Sequence, residues 1–319
     1  MLNAQPINQH LIDKLAPGEA AQGIVERQAQ HLIDAALGRI DLSGDELRAS
    51  GGDPDVRITT GFVEPHFFAG FSGGPKLVAP GLAGFKTTMR LHDAEMIANS
   101  NARWGITEGN PIHEAIRGIA ELVGVHFSVD VAINRDRQIT HVCAGEIFTV
   151  HKKMAATVKK NAMQVFDSAF DVVVTTNSGY PLDQNLYQSI KGMSAAAQVV
   201  KQGGAIVCAA ECSDGLPSHG EYRDILTKRS TPGELLKMIC EPGHNRHDQW
   251  EVQIQAQIQQ RADVFLKADG LSSDDVRAAH LTPINDVGAT TRLQLERFGQ
   301  EARLCVLPEG PQTIPYLAE

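Results

Sequence analysis

The sequence predicts an α/β protein of two domains, whose C-terminal domain is a layered, mainly parallel sheet with flanking helices. Three observations support this fold class. The chain has 319 residues, which is enough for two ordinary domains, each with a core of its own. From about Phe170 onward, short apolar runs alternate with helical or loop segments. The runs are apolar throughout, as expected for strands buried on both faces. They are "DVVVTT", "GGAIVCAA", "ADVFLKA" and "RLCVLP".

Changes in composition along the chain predict three segments. Residues 1–54 are rich in Gln, Ala and charge, with apolar residues at helical spacing, and we expect an atypical helical leader there. Residues 55–165 are predicted to form an α/β N-terminal segment, and residues 166–319 the C-terminal domain. The break "ASGGDPD" (Ala49 to Asp55) separates the leader from the rest.

The segment 55–165 contains one complete helix signature and two strand signals. In "GNPIHEAIRGIAELVG", Asn110 can cap the helix, Pro111 takes its first position and Gly124 can end it. Before it, "VRITTGFVEP" is typical of a strand that runs into a glycine-rich loop. After it, "FSVDVAINRDRQITHVCAG" predicts a pair of strands around a polar turn.

Composition excludes several classes of function. The net charge is -9 and the basic residues are not clustered, so nothing indicates a nucleic-acid partner. No apolar run approaches the roughly 20 residues that span a bilayer, and the N-terminus lacks the pattern of a signal peptide. Five cysteines without a CxxC pair suit a reducing compartment. We therefore expect a cytoplasmic protein without a membrane partner.

A glycine-rich loop, "HFFAGFSGGPKLVAPG", runs from His66 to Gly81 and carries a single lysine, Lys76. Glycines let a backbone approach a ligand closely and form an anion-binding nest. Lys76 would then clamp a phosphate, form a Schiff base or carry a covalently attached cofactor. His66 and His92 flank the loop, and a histidine serves as a general base or as a metal ligand. The plain alternative is a tight surface turn with a solvated lysine and two hydrogen-bonded histidines.

A second dense segment, "TTNSGYPLDQNLYQSIKGMSAAAQ", follows the strand "DVVVTT" and so lies where a parallel strand ends. That edge is the usual ligand crevice of an open α/β sheet. Gln188 and Lys191 are three residues apart and would share one face of a helix. A capped helix start with solvated polar residues explains the segment equally well.

The segment "PGHNRHDQWEVQ" holds His244, His247 and Trp250. The two histidines are three residues apart, a spacing that can bind a metal on a helix, but no third ligand stands nearby. A structural role is therefore favoured for both. Trp250 would pack over a substrate or fill the core.

Together these motifs resemble the nickel-pincer lactate racemase family, which interconverts the enantiomers of 2-hydroxy acids. "HFFAGFSGGPK", the downstream His92, "GYPLDQNLYQSIKG" and "DQW" match the family's motifs in order and near the expected spacing. The ending "VLPEGPQTIPYL" is also similar to the family's C-terminus. The resemblance covers roughly Asp55 to Glu319, so that residues 55–165 would be what is present of the cofactor-binding domain.

The resemblance implies a role for each candidate site residue. Lys76 would hold a nickel-bound pyridinium-3,5-bisthiocarboxylic acid mononucleotide through a thioamide, and His92 would be the protein's ligand to the nickel. His66 would be one of two acid/base residues, with Lys191 and Gln188 as the other catalytic residues. Further cofactor-binding positions would be Ser72, Gly73, Gly74, Tyr187 and Trp250. The implied substrate is a small 2-hydroxy acid, with lactate as the default.

The sequence departs from the family's pattern in its leading segment. The second acid/base histidine should precede the glycine-rich loop, yet no motif surrounds His10 or His31. "DELR" (Asp45 to Arg48) has the family's Asp-x-x-Arg spacing, but it sits in a charged helical stretch. We therefore expect a family member that lacks the usual N-terminal third. Its alternatives are an inactive fragment, one subunit of a split enzyme with a separate N-terminal chain, or a nucleotide- or phosphate-binding protein without nickel.

Overall fold

The computed structural model describes residues 56–217 and 219–318. The predicted helical leader, with His10, His31 and the Asp45 to Arg48 element, lies outside these residues. Among the described residues, no helix is both long enough and apolar enough to cross a membrane.

The first part of the described chain is built on a three-stranded sheet. β1 (Ile58–Phe62) runs parallel to β4 (Phe127–Ile133), and β4 pairs antiparallel with β5 (Ile139–Gly145). The predicted strand before the loop and the predicted strand pair are therefore confirmed. Two very short strands, β2 (Pro65–His66) and β3 (Gly70–Phe71), fold the glycine-rich loop back on itself.

Within the described part of the chain, four helices accompany this sheet: α1 (Phe85–Leu91), α2 (Ala94–Ala98), α3 (Pro111–Val123) and α4 (Ile147–Ala162). α3 confirms the signature read from the sequence. The Asn110 side chain accepts hydrogen bonds from the amides of Ile112 and His113, and Gly124 ends the helix in the left-handed conformation.

The second part contains the predicted parallel sheet, which confirms the fold class. Its strands are β7 (Phe170–Thr176), β8 (Val200–Ala209), β9 (Ala262–Lys267), β10 (Thr282–Pro283) and β11 (Leu304–Leu307). Their spatial order is β10-β9-β8-β7-β11, and every pair of neighbours is parallel. The four apolar runs singled out in the sequence are β7, β8, β9 and β11.

Six helices of the described residues pack around this sheet: α5 (Leu186–Ala197), α6 (Tyr222–Leu226), α7 (Pro232–Ile239), α8 (Gln249–Arg261), α9 (Ser273–Ala278) and α10 (Val287–Phe298). A last pair, β6 (Met163–Phe166) and β12 (Ile314–Leu317), runs parallel beside them.

The two parts of the described chain are joined by polar contacts as well as by apolar packing. One hydrophobic core contains residues of both parts. Across it, the Trp104 indole donates to the Ser194 hydroxyl at 3.0 Å, and the Gln253 amide donates to the Ala94 carbonyl at 2.8 Å. These bonds hold α5 and α8 of the second part against two segments of the first: the loop between α2 and α3, which carries Trp104, and the start of α2.

Candidate active site

His66 is the last residue of β2, and its ring is oriented by the backbone of the turn that follows. Its Nδ1 atom accepts a hydrogen bond from the Ala69 amide at 3.2 Å, so the neutral ring carries its proton at Nε2. Burial lowers the pKa of His66 well below its usual value, and the positive charges of Lys76 and Lys191 lower it further. The ring is therefore held neutral and presents a donor at Nε2.

Lys76 lies on a short 3₁₀ turn (Gly74–Leu77) and is half-buried. Burial lowers the pKa of its amine, while the Glu64 carboxylate opposes this and Lys191 adds to it. A lowered pKa leaves more of the amine unprotonated and able to act as a nucleophile. Glu64 keeps contact with solvent, yet its partial burial raises the pKa of its carboxyl against the effect of both lysines.

His92 follows directly after α1 and is buried. Its Nδ1 atom lies 2.7 Å from the Thr88 carbonyl oxygen, which can only accept, so Nδ1 carries the proton and Nε2 keeps a free lone pair. Burial lowers the pKa of His92 to about 4. A neutral imidazole fixed in one tautomer by a backbone carbonyl is the usual form of a metal-binding histidine.

Helix α5 supplies the opposite wall. It begins at the Asn185 cap, whose side chain accepts from the Gln188 amide at 3.0 Å. One turn later, Lys191 Nζ donates to Gln188 Oε1 at 2.7 Å, which confirms that the two side chains share a face. Lys191 Nζ also lies 5.9 Å from the centre of the Phe67 ring, beside His66. A cation and an amide are thus presented together towards the loop.

Trp250 and Tyr187 complete this wall. The Trp250 indole N–H donates to the Tyr187 hydroxyl at 3.1 Å, and the Trp250 ring centre lies 4.5 Å from that of His92. Burial, together with the charge of Glu251, raises the pKa of Tyr187, so that its hydroxyl stays protonated. Trp250 therefore links the predicted metal ligand on one wall to the polar groups of the other.

Glu251 is a member of the site that sequence reasoning missed. It is fully buried in the first turn of α8, and neither carboxylate oxygen has a hydrogen-bond partner. Burial raises the pKa of Glu251 to about 8, although the nearby positive charge of Lys191 opposes the shift. No sequence signal marks it, because it sits in a run that alternates polar and apolar residues. Glu64 was also missed, although in an extended segment it shares a face with His66, two residues on.

The glycines of the loop pack against protein rather than open space. A Cβ atom at Gly73 would lie 2.7 Å from Val63 Cγ2, and one at Gly74 would lie 2.6 Å from His151 Cβ. Both glycines have positive φ angles. The Ser72 hydroxyl is likewise turned to the strand, where it accepts from the Glu64 amide at 3.0 Å. The close approach that requires these glycines is made by β1 and α4, and a cofactor contact at Ser72, Gly73 and Gly74 stays a prediction.

Two buried histidines support the loop from behind. His151 Nε2 lies 3.0 Å from the Ser72 carbonyl oxygen, and its ring stacks on that of His113 at 5.4 Å. Burial lowers the pKa of each to about 4, and a backbone hydrogen bond at Ala69 partly opposes the shift in His113. The sequence did not single out this pair, because its members lie on separate helices, α3 and α4.

A cleft of about 1470 Å³ opens at the carboxyl ends of the parallel strands. Glu64 and Asp183 line it, together with the ends of β7, β8 and β9, whereas His66 and His92 do not. Asp183 is buried, and its Oδ1 atom has no hydrogen-bond partner. We take the cluster of His66, Lys76, His92 and Lys191 as the candidate active site, because the chemistry-bearing groups converge there. Glu64, whose carboxyl is influenced by both lysines, also lines the cleft.

The structure therefore brings most of the predicted site residues to one place. These residues are His66, Lys76, His92, Tyr187, Gln188, Lys191 and Trp250. His244 and His247 lie in the loop before α8 rather than on a helix. Among the described residues, no group of three or more His, Cys, Asp or Glu side chains is arranged to hold a metal ion.

Comparisons with known proteins identify the family. The family model of the lactate racemase N-terminal domain matches residues 49–105, and that of the lactate racemase C-terminal domain matches residues 165–314. Lactate racemase from Thermoanaerobacterium thermosaccharolyticum is 35% identical over 271 residues, which cover 84% of this chain and 63% of that protein. Lactate racemase from Lactiplantibacillus plantarum is 34% identical over 278 residues, which cover 86% and 65%.

Solved structures extend the comparison to the fold. The lactate racemase apoprotein from T. thermosaccharolyticum superposes with a TM-score of 0.79 at 34% identity, covering 84% of this chain and 64% of that one. A protein of Thermotoga maritima, 15% identical with a TM-score of 0.60, shares the fold alone. The chain thus spans slightly less than two thirds of the length of these curated relatives. With both of the family's domain models matched, the chain belongs to the lactate racemase family.

Proposed function

We propose that this protein is a racemase or epimerase of a small 2-hydroxy acid, with lactate as the default substrate. The observation that carries the proposal is the convergence of Lys76, His66, His92 and Lys191 at one point between the two parts of the chain. Two relatives named lactate racemase, each about a third identical, support the choice of substrate class.

The residues present fit a nickel-bound pyridinium mononucleotide as the cofactor. A metal that brings most of its ligands with the cofactor needs one protein ligand, and His92 offers a free Nε2 lone pair in a buried position. Lys76 offers an amine whose lowered pKa suits acylation by a thiocarboxylate. We propose that Lys76 holds the cofactor covalently and that His92 binds the nickel.

The reaction is best understood from the weak acidity of the substrate. The α-hydrogen of a hydroxy acid is poorly acidic, because the carboxylate beside it is already an anion. When bound, the cofactor supplies an electron-poor ring that accepts this hydrogen as a hydride and returns it. A histidine needs only to exchange the hydroxyl proton, a step within its ordinary range.

The chain's own residues bind the substrate, position a proton and exclude water. Lys191 pairs with the substrate carboxylate, and its hydrogen bond to Gln188 fixes where the ammonium group lies. His66 holds its proton at Nε2, the ring atom left free for the substrate's oxygen. Phe67, Phe68 and Trp250 are buried and keep water away from the cofactor's side of the site.

The test is intact mass and metal content of the chain after co-expression with a cofactor-synthesis system. We expect a nucleotide-sized adduct on Lys76, one nickel per chain and interconversion of D- and L-lactate. Lys76→Arg keeps the positive charge but cannot form the thioamide, so it should lose the adduct and the activity. Lys86→Arg, at an exposed position on α1, is the matched control. A folded wild-type chain without adduct or nickel would contradict the proposal.

We also propose that the protein works in the cytoplasm. All five cysteines are free, three of them buried as small apolar side chains, which suits a reducing compartment.

A further inference from the structure

We infer that an apolar face of the first sheet is the docking surface for the chain's own leading segment, residues 24–40. The surface lies on the three-stranded sheet β1-β4-β5, and the segment precedes β1 in the chain. This contact is independent of the proposed racemase activity, because it involves neither cofactor nor substrate.

The three-stranded sheet has one covered face and one uncovered face. Helix α4 packs against β4 and β5 on the covered face, where Ala132 joins Val150 and Met154 in an apolar cluster. Alternate residues of each strand point to the other side, and residues paired across strands share a face. We call this other side the outer face. Its members are Ile58, Thr60 and Phe62 of β1, Phe127, Val129, Val131 and Ile133 of β4, and Ile139, Val142 and Ala144 of β5.

The polarity of the two faces is the reverse of what their exposure requires. On the covered face, β4 places Ser128 and Asp130, and both are fully buried. On the outer face every member except Thr60 is apolar, yet the described residues bury none of them. Val142 is 64% exposed and Phe62 is 48% exposed. A sheet with one solvated face normally carries polar side chains there, and a contiguous apolar patch marks a contact surface instead.

The leading segment has the side-chain pattern that the outer face requires. In "IVERQAQHLIDAALGRI", residues 24–40, apolar side chains recur at helical spacing, at Val25, Ala29, Leu32, Ala36 and Ile40. The stretch contains two acidic and two basic residues, so its net charge is zero. The outer face carries no charged side chain, and a neutral amphipathic helix therefore suits it.

Length and connection agree with this placement. A helix over residues 24–40 would be about 25 Å long, and β4, at the centre of the sheet, spans about 23 Å. Residues 41–57 connect the segment to β1, which begins at Ile58, and reach roughly 55 Å when fully extended. The connection can thus return the chain from either end of the outer face. Because it is short, it also favours the chain's own segment over a second copy of the protein.

The first test is hydrogen exchange of the full chain, with Val142→Asp on the outer face compared with Val306→Asp. Val306 is 56% exposed and lies on β11 of the other sheet, so it is the matched control. We expect residues 24–40 to be protected in the wild type. Val142→Asp should reduce this protection about tenfold or more, because docking would bury a carboxylate against apolar side chains. Val306→Asp should leave it unchanged, and unchanged protection of β7 and β8 shows that both variants are folded.

The second test follows the surface rather than the segment. Hydroxyl-radical oxidation of Phe62 reports whether the outer face is covered. We expect Leu32→Asp, on the apolar side of the predicted helix, to raise the rate of this oxidation severalfold. Gln30→Asp, on the polar side of the same helix, should leave the rate at the wild-type value.

Three outcomes would overturn the inference. In the first, residues 24–40 of the wild type exchange as fast as an unstructured peptide. In the second, their protection survives Val142→Asp, which would place the segment elsewhere. In the third, protection is lost on dilution while sedimentation shows a dimer dissociating, because a second copy would then cover the outer face. All measurements use the chain without cofactor, so failure of the proposed racemase activity would not affect them.

Discussion

The two walls of the site are tuned in opposite directions by the same physical cause. On the loop wall, burial lowers the pKa of His66, Lys76 and His92, so basic groups tend to lose their protons. On the helix wall, burial raises the pKa of Tyr187 and Glu251, so acidic groups tend to keep theirs. Both kinds of pKa shift leave more of the site's side chains uncharged. A substrate carboxylate that enters such a site finds Lys191 with few competing charges.

The comparison predicts opposite pH dependences of stability for the two walls. For Glu251 the folded pKa of about 8 lies above the unfolded value of 4.5, so its contribution is present at low pH and is lost as the pH rises through 8. For a buried histidine the folded pKa of about 4 lies below the unfolded value of 6.5. Its contribution is present above pH 6.5 and is lost as the pH falls towards 4.

The largest expected effect is that of Glu251→Gln. Between pH 5 and pH 8 the variant should gain about 4 kcal/mol in free energy of unfolding relative to the wild-type chain, because only the wild type loses the contribution of Glu251 over this range. Urea unfolding measured at several pH values checks this. Glu296→Gln, at an exposed position on α10, should leave the pH dependence unchanged. If the free energy of unfolding depends on pH identically in the Glu251 variant and the wild type, Glu251 does not contribute to this dependence.

The next effect compares Gly74 of the loop wall with Gly179, which lies in the loop between β7 and α5. Gly74→Ala places a Cβ atom 2.6 Å from His151 and imposes an unfavourable φ of 50°, so we expect a loss of about 3 kcal/mol or more. Gly179→Ala has a similar φ of 75° but nothing within 4 Å, so only the backbone cost of about 1 kcal/mol should appear. Denaturation midpoints at unchanged m-value measure both. Equal losses would show that packing against α4 contributes nothing.

His151→Gln tests the support behind the loop. The glutamine amide can still donate to the Ser72 carbonyl but does not titrate, so the acid-induced loss of stability between pH 6.5 and pH 4 should shrink by about 3 kcal/mol. Stability near pH 7 should change little. His141→Gln, at an exposed position on β5, is the control. If the loss of stability between pH 6.5 and pH 4 is unchanged in the variant, His151 is not kept neutral by burial.

Elements with local signatures were predictable from the sequence, whereas contacts between distant elements were not. The cap, first-turn proline and terminal glycine of α3 lie within fifteen residues. Each apolar strand is likewise recognisable from its own short run of residues. By contrast, the loop glycines were interpreted as space for a ligand. The side chains that pack against these glycines are instead those of Val63 and His151. His151 lies nearly eighty residues further along the chain.

Helix α8 shows why part of the site could not be predicted from the sequence. Its sequence, "QWEVQIQAQIQQR", has no apolar stripe, yet nine of its 13 residues are buried. The helix is surrounded by other elements, and its glutamines bond to backbone carbonyls such as those of Ala94 and Ala279. Burial of Glu251 therefore follows from the neighbours of the helix rather than from its own pattern, and only the family motif drew attention to Trp250.

The smallest effect concerns the hydrogen bond within the helix wall that holds Trp250 against His92 of the loop wall. Trp250→Phe removes the indole donor to the Tyr187 hydroxyl, and we expect a loss of about 1 kcal/mol from the hydrogen bond itself. A double-mutant cycle with Tyr187→Phe should give a coupling energy of similar size, because each single variant breaks the same bond. Trp104→Phe breaks a comparable bond, 3.0 Å long, to Ser194 and should be additive with Tyr187→Phe. Additivity in both cycles would mean that Trp250 holds its place by ring packing against His92 alone, and that the hydrogen bond to Tyr187 adds no stability to the contact between the walls.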